Sequence, residues 1–438
     1  MKSLLISGGR IIDPGQGIDE VGGLLITEGK ISWRGKVPPP TDYDVLHAEG
    51  LIVCPGFIDL HCHLRQPGFE EKETIATGTR AAARGGFTTV CCMPNTDPPL
   101  DNQATIDYVK STTATEGVVR VLPIGCVSRG RKGEELANMG ELVSAGVIAC
   151  SDDGAPVSSS RLMRQALDYS RAFSLPIIDH CEDTALTEGG QINEGIISLE
   201  LGLRGIPAAA EEIMVTRNLA LVQQLPGAHL HLAHVSTAGS VELIRRCKEK
   251  GIEVTAEVTP HHLTLTEERA IGYDTNAKVN PPLRTERDVE ALIQGLKENV
   301  IDIIATDHAP HTEADKRCEF TLAAFGISGL ETSLGSLMRL VHDGQLPLTM
   351  LIAKLTREPA RIIGNNKLGT LSNYAIADIT LFDPDKEWLV DTAAFASRGK
   401  NTPLAGSVLK GKVMATIFQG KLVYQDDSVR IEARENNG

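Results

Sequence analysis

No Cys-x-x-Cys pair occurs anywhere in this chain, although it carries nine cysteines. They are scattered, odd in number and include the neighbours Cys91 and Cys92, so neither a disulfide framework nor a thiolate zinc knuckle is expected. No stretch approaches the roughly 20 apolar residues that a membrane-spanning helix needs. Met1-Lys2 is followed only by the short apolar stretch Leu4-Leu5-Ile6 before Gly8-Gly9, so no signal peptide is expected. The expected location is the cytoplasm, with reduced thiols. Positive charge is in deficit: Lys and Arg total 43 against 57 Asp and Glu, a net charge of −14. That argues against broad nucleic-acid or anionic-membrane binding. It leaves room for an acidic small substrate, because a local basic pocket can oppose the global field. Repeats, low-complexity tracts and long linkers are missing too. At 438 residues, one large barrel with an appendage is a better prior than three independent units.

What the chain does have is His61-Cys62-His63, at the end of an apolar run that begins at Leu51. Alternate side chains of an extended strand point the same way, so both imidazoles project from one face as a metal-ligand pair. Cys62 between them should face packing. Arg65 follows, where an anionic substrate can be gripped.

The first fifty or so residues read as short strands at 3–7, 24–27 and 30–34, broken by Gly29, Gly35 and Pro38-Pro39-Pro40. After Pro55-Gly56 the rhythm becomes strand, loop, helix. Strands are expected at 57–60, 87–93, 118–124, 147–151, 176–180, 229–234, 252–258 and 301–306. Helices are expected at 76–84, 103–113, 133–145, 161–173, 209–222 and 240–250. This alternation is the signature of a parallel (β/α)8 TIM-type barrel. Beyond Leu368 the pattern returns to short strands (376–382, 414–418, 421–424). The expected organisation is a catalytic barrel over 55–367. The β-rich ends, 1–54 and 368–438, form a small β domain beside it, with a polar tail from 432 that frays.

In such a barrel the chemistry sits where strands end. Those ends carry His61 and His63, Asp152-Asp153, His180, His234 and Asp307-His308. A single buried histidine is more often a hydrogen-bonded core residue than a ligand, and a strand-end Asp often caps a helix. Recurrence at the C-terminal ends of one strand pattern is what points to a metal centre. Six such N and O donors can hold two divalent cations; zinc suits them best, with manganese or cobalt as substitutes. Alternation lets only one of Asp152 and Asp153 point inward, and the sequence does not say which. His229 and His231 read as strand residues flanking the ligand, and His47 and His342 as surface positions. Pro260-His261-His262 reads as a possible support of the site.

These residues carry a resemblance. Asp-Leu-His-Cys-His-Leu-Arg (59–65), Met-Pro-Asn-Thr (93–96), Asp-Asp-Gly (152–154) and Asp-His-Cys-Glu-Asp (179–183) resemble the amidohydrolase superfamily. Ala-His-Val-Ser-Thr (233–237), Val-Thr-Pro-His-His-Leu (258–263), Asn-Pro-Pro-Leu-Arg (280–284) and Ala-Thr-Asp-His-Ala-Pro-His (305–311) narrow it. The ordered set is similar to the dihydroorotases, in their longer-chain bacterial class I, over essentially the whole chain. The resemblance implies that His61 and His63 bind one metal, His180 and His234 the other, and that Asp307 completes the site. Relatives often bridge the two ions with a carboxylated lysine; this fourth strand has none, and the resemblance favours Asp153 as the bridge. It also implies that Arg65, Asn95 and His311 meet the substrate carboxylate beside His63. Asn280 and the Phe325-Gly326 backbone would meet the ring.

The implied reaction is reversible hydrolysis of the cyclic amide of (S)-dihydroorotate to N-carbamoyl-L-aspartate, in pyrimidine synthesis. A metal-activated water attacks the ring carbonyl, and Asp307 passes its proton to the leaving nitrogen. The segment 312–326 is long for a βα loop and fits either a lid or a plain surface loop. Other cyclic amidases (dihydropyrimidinase, hydantoinase, allantoinase) share the metals, but Arg65, Asn95 and His311 favour a free carboxylate on the substrate. An inactive dihydroorotase-like scaffold for aspartate transcarbamoylase would lose ligands, whereas this chain keeps the set. An active enzyme can still bind that transcarbamoylase, and self-association is compatible with the sequence.

Overall fold

The computed structural model describes residues 3–433. Eight parallel strands close a barrel. The first three, Phe57–Cys62, Phe87–Cys92 and Arg120–Pro123, pair in that order. The other five are Cys150–Ser151, Ile177–Asp179, Leu230–Leu232, Val254–Val258 and Ile303–Ile304. Parallel bridges from Gly125 to Cys150 and from Cys62 to His308 join the two sets into a ring. Strand segments such as Phe87–Cys92 are buried along their whole length, as a parallel sheet covered on both faces requires.

Two apolar layers hold this barrel. Ile58, Leu60, Cys91, Met93, Ile124, Ile178 and Ile303 pack inside it, with Ile362 and Leu368 joining them. Phe57, Phe87, Val90 and Val121 face outward against the helices, for example Ala81, Ala82 and Leu142. Most helices begin on a side chain that accepts an otherwise unpaired N–H. Thr74, Asn102, Ser159, Thr237 and Thr285 do so, each contributing about 1 kcal/mol.

Beside the barrel lies a nine-stranded sheet drawn from both ends of the chain. Its main path runs Lys421–Gln425, Val408–Phe418, Ile379–Leu389, Ile52–Pro55, Ser3–Asp13, Ile18–Thr27 and Lys30–Gly35. Gly56 alone separates the strand Ile52–Pro55 from the first barrel strand.

Some elements differ from expectation. The helix expected over 133–145 covers only Met139–Ala145. Gly133 has a positive φ, and Leu136 bridges to Ser128, so the chain doubles back until Asn138 caps the helix. Residues 3–7 belong to one strand of 11 residues. Of the tail expected to fray, Glu432 instead pairs with Val45, and residues 434–438 lie outside the described residues. Among the described residues no helix is long and apolar enough to cross a membrane.

Candidate metal centre

The first barrel strand carries an irregularity that the alternation argument did not anticipate. Its register against the second strand shifts between Asp59 and Cys62. Ile58 and Leu60 join the inner cluster before the shift, while Cys62 joins the outer one after it. The shift turns both His61 and His63 inward, a common use of a bulge beside an active site. Cys62 Sγ lies 3.4 Å from Cys91 O, in packing as expected.

Asp153 stands between two histidine pairs. Its Oδ2 is 3.4 Å from both His61 Nε2 and His63 Nε2. Its Oδ1 is 3.3 Å from His234 Nε2 and 3.5 Å from His180 Nδ1. Asp307 Oδ1 closes the first pair, 3.0 Å from His63 Nε2 and 3.5 Å from His61 Nε2. All six side chains are buried. Two three-residue groups, His61/His63/Asp153 and Asp153/His180/His234, each bring their ligand atoms within 4.8 Å of one another. The adjacent Asp152 turns elsewhere and accepts from Val127 N (2.9 Å) and Ser128 N (3.1 Å).

The donors fit a pair of divalent cations. His61 Nε2 faces the shared carboxylate and is buried without a hydrogen-bond partner, a costly state that a cation relieves. The opposite nitrogens of three rings are occupied. His61 Nδ1 donates to Glu257 Oε1 (2.6 Å), His63 Nδ1 to Asn95 Oδ1 (2.8 Å) and His180 Nε2 to Glu182 Oε2 (2.7 Å). Such partners fix the tautomer and aim the free nitrogen at the centre. Burial opposes the charge on Glu257, but His61 and His231 overcome it and hold the carboxyl down to about 2. The wall is therefore ionised throughout the neutral range.

Sequence reasoning missed this outer layer. Glu257 also takes His231 Nε2 at 3.1 Å and His234 N at 3.2 Å, so His231 belongs to the support rather than merely flanking it. Glu182 joins the histidine cluster to Asn280, whose Nδ2 donates to it at 2.9 Å. The signal was a buried glutamate in the barrel strand 254–258, whose other residues are Val, Thr, Ala and Val. Glu73, just before the first barrel helix, accepts from Ser397 Oγ (2.5 Å) and lies 3.4 Å from His308 Nε2. The cap itself is Thr74.

Across the mouth, Arg65 Nε donates to Pro310 O (3.2 Å), and its Nη2 is 3.3 Å from His311 Nε2. That same imidazole nitrogen is 2.8 Å from Phe325 O. Burial, then the charges of Arg65, Lys316 and Lys72, push His311 down to about 3, so its ring is neutral. Gly326 has φ 145°, and a Cβ there would meet Ala309 O at 2.8 Å and His311 Cδ2 at 3.0 Å. Only glycine fits. His262 Nε2 lies 3.0 Å from Pro281 O and steadies the turn after Asn280, the support that the Pro260-His261-His262 motif suggested. Arg65, His234 and Asp307 all have positive φ (61°, 29° and 45°), backbone strain concentrated where the functional side chains converge.

Fold and cluster together are those of a TIM-barrel amidohydrolase with a β-rich domain. The L-hydantoinase (dihydropyrimidinase) from Arthrobacter aurescens superposes with a TM-score of 0.87 at 25% identity, covering 99% of this chain and 98% of that one. The dihydropyrimidinase from Brevibacillus agri NCHU1002 gives 0.85 at 23% identity, covering 98% and 97%. Sequence relatives are nearer. A family model described as dihydro-orotase-like matches residues 50–240. The dihydroorotase of Pelotomaculum thermopropionicum is 53% identical over 98% of this chain and 100% of its own length. That of Thermoanaerobacter sp. is 51% identical over 97% and 98%. The chain belongs to the dihydroorotase family.

Proposed function

We propose that this chain opens and closes the cyclic amide of (S)-dihydroorotate, interconverting it with N-carbamoyl-L-aspartate in pyrimidine biosynthesis. The observation that carries the reading is Asp153 shared between two histidine pairs, 3.3–3.5 Å from each ring, beside the Arg65–His311 pair. His61, His63 and Asp307 would hold one cation and His180 and His234 the other, with Asp153 the carboxylate common to both groups. Zinc is the choice for this donor set. Bound there, such ions would supply a water acidified into the neutral range and a polarised amide carbonyl.

Asp307 Oδ1 accepts the proton of the attacking water as its oxygen bonds to the ring carbonyl carbon. It returns that proton to the ring nitrogen as the C–N bond breaks. Arg65 offers a planar fork to the substrate carboxylate, with Asn95 and the neutral His311 beside it. Asn280 and the Phe325–Gly326 backbone read the ring amide, and His63 packs against it. The catalytic unit spans 55–367 and the small β domain 1–54 with 368–438, a division supported by the single sheet that pairs the two ends. The compartment is the cytoplasm. Self-association and docking to an aspartate transcarbamoylase are the partner arms of the reading, to be measured by sedimentation with and without that enzyme.

The test is metal analysis of purified protein with turnover of dihydroorotate, dihydrouracil and allantoin side by side. About two metals per chain and a preference for dihydroorotate are expected. A preference for either uncharged ring moves the chain to the other cyclic amidases, and metal-free, inactive protein makes it a scaffold.

A further inference from the structure

The loop after the eighth barrel strand is tied down by two buried lysines that the reaction does not use. Lys316 is 5% exposed, and its Nζ donates to Ala324 O (2.7 Å), Thr275 O (3.0 Å) and Lys278 O (3.1 Å). An ammonium has three hydrogens, and each meets one carbonyl. Lys278 is 2% exposed; its Nζ donates to Phe320 O (2.8 Å) and Thr321 O (3.2 Å) and lies 4.6 Å from the centre of the Phe325 ring. That position is a cation–π contact. Lys278 O also accepts from Gly326 N at 2.9 Å. The two side chains thus stitch the segment before Asn280 to the segment that ends at Phe325 and Gly326.

The acceptors of both ammonium groups are neutral: carbonyls and an aromatic face. Arg65 nearby likewise leans on Pro310 O and on the imidazole of His311. Two buried ammonium groups and a half-buried guanidinium thus share neutral hydrogen-bond partners, while the nearest carboxylates, Asp315 beside His311 (3.6 Å) and Asp153 and Asp307 at the axis, act on them without a direct hydrogen bond. A cation so placed favours a counter-charge in direct contact. An anionic substrate at His311 supplies it. We propose that Lys316 and Lys278 are positioning residues: they latch loop 312–326 over the mouth and set the affinity for carboxylate-bearing rings. This rests on the substrate reading given above. Neither lysine touches reacting atoms; both act through the Phe325–Gly326 backbone and Asn280.

Methionine keeps the length and packing of lysine and removes the ammonium, so Lys316→Met and Lys278→Met are the variants of choice. Leaving buried carbonyls unpaired should raise KM for dihydroorotate about tenfold with kcat held within about threefold. Amide hydrogen exchange should quicken across 275–281 and 312–326 while the barrel strands keep their protection. A KM within about twofold of the parent overturns the latch. So does a KM that rises only together with loss of kcat, metal and protection across the barrel, which marks a merely structural role. If Lys316→Met does not fold, Lys278→Met is read by the same criteria; if neither folds, the latch is overturned in favour of a structural role. Wild-type protein that binds two metals yet leaves dihydroorotate unchanged refutes the substrate reading instead, and local exchange in the variants still reads the latch.

Discussion

The imidazoles at the barrel axis are held by side chains in the strands or in the first residues beyond their ends, whereas the rim facing them across the mouth hangs on loop backbone. At the axis, Glu257 and Asp153 come from or directly follow strands and fix ring nitrogens at 2.6–3.5 Å. At the rim, Phe325, Gly326 and His311 are joined through carbonyl oxygens, Asn401 and two ammonium groups. Strand-rooted carboxylates leave little freedom, which suits chemistry that must hold donors at fixed spacing. A rim of backbone contacts can be re-cut by loop substitutions without disturbing the axis. The same barrel can thus keep its reaction and change its ring.

That contrast can be broken from either side. The largest effect is expected at the axis: Asp307→Ala should cut kcat about 1000-fold or more, and saturating metal should not restore it. Full activity would remove Asp307 from the mechanism. Next comes the rim's own charge. Arg65→Lys keeps the charge but loses the planar fork and should raise KM for dihydroorotate about 30-fold to 100-fold; an unchanged KM would mean the carboxylate binds elsewhere. Glu257→Gln removes the ionised partner of His61 and should weaken metal binding about 10-fold to 100-fold by chelator competition. Activity should return at saturating metal, which would place the damage in the axis and leave the rim untouched.

The smallest effect is a pH dependence confined to the rim. Burial, reinforced by Lys278 and opposed by Asp274, Cys318 and Asp315, pushes the Lys316 ammonium down to about 7. Above that pH one of its three hydrogens is lost, so KM should climb severalfold between about pH 6 and pH 9, and the climb should vanish in Lys316→Met. The sign separates this from unfolding. A lysine whose folded pKa lies below its unfolded value of about 10.4 leaves the unfolded chain binding more protons in that window. Its contribution to stability therefore rises with pH there. A KM that stays flat in the parent protein would detach Lys316 from the rim.

How much of this was legible in the sequence follows the same division. The barrel and the strand-end side chains that converge on its axis were readable because strand ends, periodic helices and the order of motifs are local signals. The choice between Asp152 and Asp153 was not, since alternation says only that neighbours diverge. It took the N–H groups of Val127 and Ser128 to show which one turns away. Glu257 and Glu182 escaped because a glutamate in a strand or loop looks like surface until its partners, far away in the chain, are in place. Lys278 and Lys316 escaped for the same reason: nothing in the residues next to either one tells a buried ammonium from a solvated one. The helix expected from 133 failed for a local reason, the positive φ of Gly133.

The strand Ile52–Pro55 pairs on one side with Ser3–Asp13 and on the other with Ile379–Leu389. A nascent chain that has cleared the ribosome through His311 already contains every residue assigned to the axis, yet the neighbour of that strand has not been synthesised. One edge of the N-terminal sheet therefore stays unpaired through most of translation, one residue away from the strand that carries His61 and His63. Long-range pairing of this kind is slow and exposes strand edges to aggregation. Assembly of the catalytic barrel during synthesis must proceed beside an open edge, which Ile379–Leu389 covers only after every residue of the axis has emerged.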